Sequence, residues 1–103
     1  MYIIKKEVIH YGSTYGADTE TIIESYGYDK LEDAIEYIFN EAIPDDQKAA
    51  AEYLDDPVFD ITENGDKDDC ETFVVVMDTY EADDACIFLE TIYSIQCIQV
   101  RGE

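Results

Sequence analysis

Apolar residues recur along this chain with two different periods, and the switches between them divide it into elements. Tyr2 to Tyr11 places apolar side chains on both faces near the ends of a strand. Gly12 to Asp18 is a turn segment, with Gly12 and Gly16 supplying backbone angles that other residues resist. Thr19 to Tyr28 carries Thr21, Ile22, Ile23, Tyr26 and Tyr28 and predicts a second strand, paired with the first as a hairpin. The period then changes. Leu31, Ala34, Ile35, Ile38, Phe39 and Ala42 fall three and four apart, which predicts an amphipathic helix over residues 30–43. Asp29 is placed to cap it, with Glu32 three residues on. Pro44 is expected to end that helix and open a second one, Pro44 to Leu54, whose first turn sets Asp45 and Asp46 at the positive end of the dipole. It stops in Asp55-Asp56-Pro57.

Val58 to Glu63 returns to strand character, and Asn64-Gly65 is the strongest short hairpin signal in the chain. Cys70 to Tyr80, with its Phe73-Val74-Val75-Val76-Met77 run, is the most apolar strand and is expected at the centre of the sheet. In Ala82 to Tyr93, Asp83 and Asp84 precede Ala85, Phe88, Leu89 and Ile92, which suits a third helix, while the Ile and Thr content also suits a strand. Helix is preferred, followed by a short strand at Gln96 to Val100. The expected order is β-β-α-α-β-β-α-β in a single α+β domain, residues 1–103, with helices packed on a largely antiparallel sheet. Tyr28 followed by Glu32-Asp33-Ala34-Ile35 echoes Tyr80 followed by Asp83-Asp84-Ala85-Cys86, a match too short to claim a duplication.

Charge changes the picture. Twenty-six residues are Asp or Glu and six are Lys or Arg, a formal net charge of −20. Solubility needs only about 2–8 charges in a small domain, and self-repulsion works against compactness. A strongly basic partner is the simplest reason for the excess. The acids concentrate between Asp29 and Asp84, where twenty of them meet only Lys30, Lys48 and Lys67. Disorder does not follow, because 47% of the residues are hydrophobic, 13% are aromatic, and the apolar ones are periodic. No apolar run approaches the ~18 residues of a bilayer span, the start Met1-Tyr2-Ile3-Ile4-Lys5-Lys6 lacks the order of a signal peptide, and anionic lipid would repel the chain. A cytoplasmic location is expected. Cys70, Cys86 and Cys97 are odd in number and lack C-x-x-C spacing, so they read as reduced, mostly buried small residues rather than a disulfide framework or zinc site.

Candidate chemistry is sparse. Asp60 to Glu71 fits several positions of a calcium loop, with Asp60 at position 1, Asn64 at 5, Gly65 at 6, Asp68 at 9 and Glu71 at 12. Thr62 and Lys67 break the pattern and the flanks read as strands, so a hairpin tip with weak, non-specific cation affinity is preferred. Carboxylate pairs are too plentiful for any one to mark an active site. His10 reads as a strand residue at a surface edge. Neither catalysis nor a cofactor or dedicated metal is expected. Direct nucleic-acid binding is disfavoured, since it depends on Lys and Arg displacing counterions from phosphates.

The residues expected to bind a partner are the acids of the first two helices: Glu32, Asp33, Glu36, Glu41, Asp45, Asp46, Glu52, Asp55 and Asp56. Their apolar neighbours face the core, so these carboxylates point outward together. Tyr37 and Tyr53 join them, because tyrosine pairs a ring with a polar tip and is enriched at interfaces. Duplex DNA carries one negative charge per ~1.7 Å of axis, and carboxylates accept Arg forks as phosphates do.

In size, charge and small α+β pattern the chain resembles phage-encoded DNA-mimic inhibitors of the anti-CRISPR and antirestriction type. The resemblance is of class and transfers no individual residues. It implies a non-enzymatic protein that occupies the basic nucleic-acid-binding groove of a nuclease in the bacterial cytoplasm, a CRISPR effector first of all. The alternative is an acidic regulatory module whose basic partner is not a nucleic-acid enzyme. A cation-binding domain comes after that.

Overall fold

The period-two segments assemble into one five-stranded antiparallel sheet in the computed structural model, which describes residues 1–11, 18–24, 27–81 and 89–98. The strands are β1 (Tyr2–His10), β2 (Asp18–Ile23), β3 (Pro57–Asn64), β4 (Val74–Glu81) and β5 (Leu89–Cys97). They lie in the order β2-β1-β5-β4-β3. Among the described residues a single helical segment packs on one face, and the chain is a small α+β domain.

That segment differs from the two helices expected from Pro44. It is α-helical over Leu31–Tyr37, π-helical over Ile38–Ala42 and α-helical again over Ile43–Ala51, without a break. Pro44 sits at the start of the last stretch rather than at a boundary between helices. In a regular α-helix its ring would clash with the carbonyl four residues back. Here the Ile43 N–H donates to the Ile38 carbonyl, five residues back. The wider π turn opens the ladder just where the proline enters it. The helix cap is Lys30, which makes no side-chain capping bond, instead of Asp29.

The larger correction concerns Leu89 to Tyr93, read as helix. These residues belong to β5, the central strand, and β4 stands beside the centre instead of at it. Leu89, Thr91, Tyr93 and Ile95 are buried while Glu90, Ile92 and Ser94 are half-buried, an alternation that only a strand produces. Thr91, Ile92 and Ile95 are β-branched, losing side-chain freedom in a helix and packing well on a pleated surface. Residues 82–88, where the predicted helix began, and 99–100, the end of the short strand, lie outside the described residues.

Ile4 of β1, Val75 and Met77 of β4, Tyr93 and Ile95 of β5 and the adjoining Phe73 form the sheet side of the core. Ala34, Ile35, Ile38 and Ile43 form the helix side. Each large side chain contributes about 1.5–3 kcal/mol by leaving water. β2 is shorter than the strand predicted over Thr19 to Tyr28, but Tyr28 returns to bridge Tyr2 with backbone bonds of 2.7 and 2.8 Å. The predicted turn at residues 12–17 lies outside the described residues. His10 is off the sheet edge, since β1 is flanked by β2 and β5.

β3 and β4 pair as expected, with Asn64 opposite Val74, but the connection runs from Gly65 to Phe73 and is no tight Asn-Gly turn. Gly65 has φ of +83°, and a Cβ there would strike the Thr72 carbonyl. Asp66 and Asp69 shape the loop by accepting the backbone N–H groups of Asp68 (2.9 Å) and Glu71 (3.1 Å). The first five residues of the calcium-loop pattern, Asp60 to Asn64, are part of β3 and alternate between its faces. Among the described residues no helix is long and apolar enough to cross a membrane.

Candidate functional site

The helix turns its apolar stripe to the sheet and leaves its acids outside, as the 3.6-residue period requires. Glu32, Asp33, Glu36, Glu41 and Asp45 are exposed along it, and Glu52, Asp55 and Asp56 continue the exposed acidic surface past its end. Tyr53, 57% exposed, stands among them. Tyr37 is placed differently: it packs against the core, with its ring 5.8 Å from that of Tyr28. The ion pairs among the described residues are Lys5–Glu7 (3.3 Å), Lys6–Asp46 (3.0 Å) and Lys67–Glu63 (3.5 Å). Of the predicted partner-binding acids, only Asp46 is matched to a base. The rest form a ridge of carboxylates whose acceptor capacity faces water.

Asp46 serves the fold. Its Oδ2 accepts the Tyr93 hydroxyl at 2.6 Å and its Oδ1 accepts the Lys6 ammonium at 3.0 Å, which ties the helix to β5 and β1. Burial, then the hydrogen bond to Asp46 and its charge, push the Tyr93 hydroxyl far above the ordinary tyrosine range. The three side chains line a hollow of about 180 Å³ beneath the helix, where Glu24 and Asp45 add further carboxylates.

A second acidic feature lies on the other face of the sheet, against which no described element packs. Strand register sets Asp60 of β3 opposite Asp78 of β4, and Asp78 opposite Glu90 of β5. Neighbouring strands are about 4.8 Å apart, so three carboxylates stand side by side in a row. The Tyr80 hydroxyl donates to Asp60 at 3.4 Å and the Tyr11 hydroxyl to Glu90 at 3.5 Å. The Asp60 charge leads in raising the Tyr80 hydroxyl above its usual range, while for Tyr11 burial leads and Glu90 adds to it. Asp78 Oδ1 is buried without a hydrogen-bond partner. Among the described residues no His, Cys, Asp and Glu side chains gather as a metal site.

The ridge was legible from helical spacing, and the row was not. Asp60, Asp78 and Glu90 are far apart in sequence, and their alignment needs the register of three strands, one of which reads as a helix. The one local signal is Asp78 itself, a charge that directly follows the apolar run Val74 to Met77. Both features present carboxylate oxygens, which are hydrogen-bond acceptors, the ridge along the helix and the row across the sheet. Compared with protein families, with curated proteins and with solved structures, the chain matches none.

Proposed function

We propose that this protein is a non-enzymatic DNA mimic that inhibits a nuclease by occupying its basic nucleic-acid-binding groove, with a CRISPR effector as the first target to test. The observation that carries the reading is the ridge of exposed carboxylates from Glu32 to Asp56, which lacks basic partners apart from the Lys6–Asp46 pair. A groove that binds DNA presents Lys and Arg at the spacing of phosphates, and such a ridge offers acceptors in rows to the same donors. The net charge of −20 adds long-range attraction. Opposite fields raise association rates, which suits an inhibitor that must arrive before the nucleic acid.

The test is charge reversal read in DNA-cleavage assays with a panel of purified CRISPR nucleases. Two triplets on the ridge, Glu32/Asp33/Glu36→Lys and Asp45/Glu52/Asp55→Lys, should each weaken inhibition by tenfold or more, and Asp46 is spared because it holds the fold. The control triplet Asp18/Glu20/Glu24→Lys, in and just after β2, should cost little. Equal losses from all three would make the effect one of net charge alone. If the unaltered chain inhibits none of the panel but binds a basic protein that is no nucleic-acid enzyme, the regulatory-module reading replaces this one.

A further inference from the structure

Cys70 and Cys97 are distant in sequence and meet at one end of the sheet. Cys97 closes β5 opposite Tyr2 of β1. Cys70 stands in the loop that leads into β4 and packs against the core cluster containing Phe73 and Ile95. Val74 of β4 pairs with Ser94 of β5, so the turn just before β4 runs beside the end of β5 and sets Cys70 next to Cys97, whose thiol acts on that of Cys70; both are free. The two differ in access: Cys97 is exposed and Cys70 is half-buried. The expectation that they are mostly buried small residues therefore does not hold for these two. Cys86 lies outside the described residues.

We infer that Cys70 and Cys97 form a redox modification site, at which a small disulfide oxidant closes an intramolecular disulfide. The exposed Cys97, as thiolate, attacks one sulfur of the oxidant and releases the first leaving thiolate. Cys70 then loses its proton, attacks the Cys97 sulfur of the mixed disulfide and releases the second. Two S–H bonds are lost and one S–S bond forms. The two electrons reduce the oxidant, and the two protons end on the released thiols. Burial, followed by the neighbouring Cys97, Asp69 and Glu71, holds the Cys70 thiol above its ordinary range, which suits it to the resolving role.

The surroundings also choose the oxidant. Asp66, Asp68, Asp69 and Glu71 share the loop with Cys70. Their field attracts a cationic disulfide and repels an anionic one. Closure would anchor this acidic loop to the end of β5 and hold its carboxylates in one place relative to the sheet.

The experiment exposes the full chain to cystamine, which is cationic, and to oxidised glutathione, which is anionic. Intact mass and non-reducing peptide mapping are followed over time. The expected result is a monomer lighter by two hydrogens with Cys70 and Cys97 in one linked peptide, in the chain itself and in Cys86→Ala alike. Cystamine should act about tenfold faster at low salt, and the gap should narrow as salt rises. The linked chain should melt roughly 10 °C above the reduced one. A persistent adduct on Cys97 beside a free Cys70 would overturn the inference, as would a linked peptide containing Cys86 or a disulfide between two chains. A linked chain that melts below the reduced one would show that the thiols meet only by distorting the fold, which overturns it equally.

Discussion

Asp46 shows how a residue can keep the chemistry that recommended it for a partner surface and yet be used by the fold. It is acidic and lies on the helix, yet both oxygens are taken by Tyr93 and Lys6. Asp46→Ala should destabilise the fold by about 2–3 kcal/mol, because it leaves a buried hydroxyl and a half-buried ammonium without an acceptor. Tyr93→Phe should cost about 1 kcal/mol, since Asp46 keeps its lysine. Chemical denaturation followed by circular dichroism measures both. The tyrosine also predicts a response to alkali. Its folded-state pKa is raised, so its contribution is complete below about pH 10, where an unfolded tyrosine ionises. Above that pH the unfolded chain loses a proton that the folded one keeps. Stability should then fall with a slope of about 1.4 kcal/mol per pH unit from this group. Tyr93→Phe should remove that part of the slope between about pH 9 and 11, leaving whatever Tyr11, Tyr53 and Tyr80 contribute, whose hydroxyls are also raised.

At the scale of elements, β5 decides both the core and the second acidic surface. As the central strand it buries Tyr93 and Ile95 toward the helix and presents Glu90 on the opposite face, beside Asp78. Like charges directly opposite in an antiparallel pair are destabilising by up to about 1 kcal/mol, and Asp78 has a neighbour of its own sign on each side. Asp78→Asn keeps the shape, removes the like-charge repulsion on both flanks and supplies an amide that can donate to Asp60 or Glu90. It should therefore raise stability by about 0.5–1 kcal/mol at low ionic strength, with a smaller gain at high salt. Thermal melts of the two proteins across a salt series check this. A gain independent of salt would place the cause in the unpartnered Asp78 oxygen and not in the charge row.

For the whole molecule, the net charge of −20 opposes compactness and favours a basic partner at the same time. The two effects respond to salt with opposite signs. Screening weakens repulsion within the chain, so its melting temperature should rise by several degrees between about 20 mM and 500 mM sodium chloride. Screening also weakens attraction to a basic groove, so the proposed inhibition of a nuclease should fall over the same range. Binding that stayed constant across it would point to contacts made by exposed tyrosines such as Tyr53, with the acids serving solubility.

The sequence alone determined whatever depends on a local period. The helical stripe from Leu31 to Ala42, the outward acids beside it and strands β1, β3 and β4 follow from side chains that repeat every 3.6 or two residues. Net charge and its concentration after Asp29 need no fold at all. Three things awaited the tertiary structure. Pro44 reads locally as a helix boundary, and only the π turn before it, held by Ile38 and Ile43 in the core, lets the helix continue. Leu89 to Tyr93 carries both a helical and a strand pattern, and pairing with β1 and β4 settled it, because hydrogen bonds to two neighbours outweigh a weak local preference. The Asp60–Asp78–Glu90 row and the Cys70–Cys97 pair depend on register across separate strands and on how a loop docks. Such alignments have no counterpart in spacing along the chain.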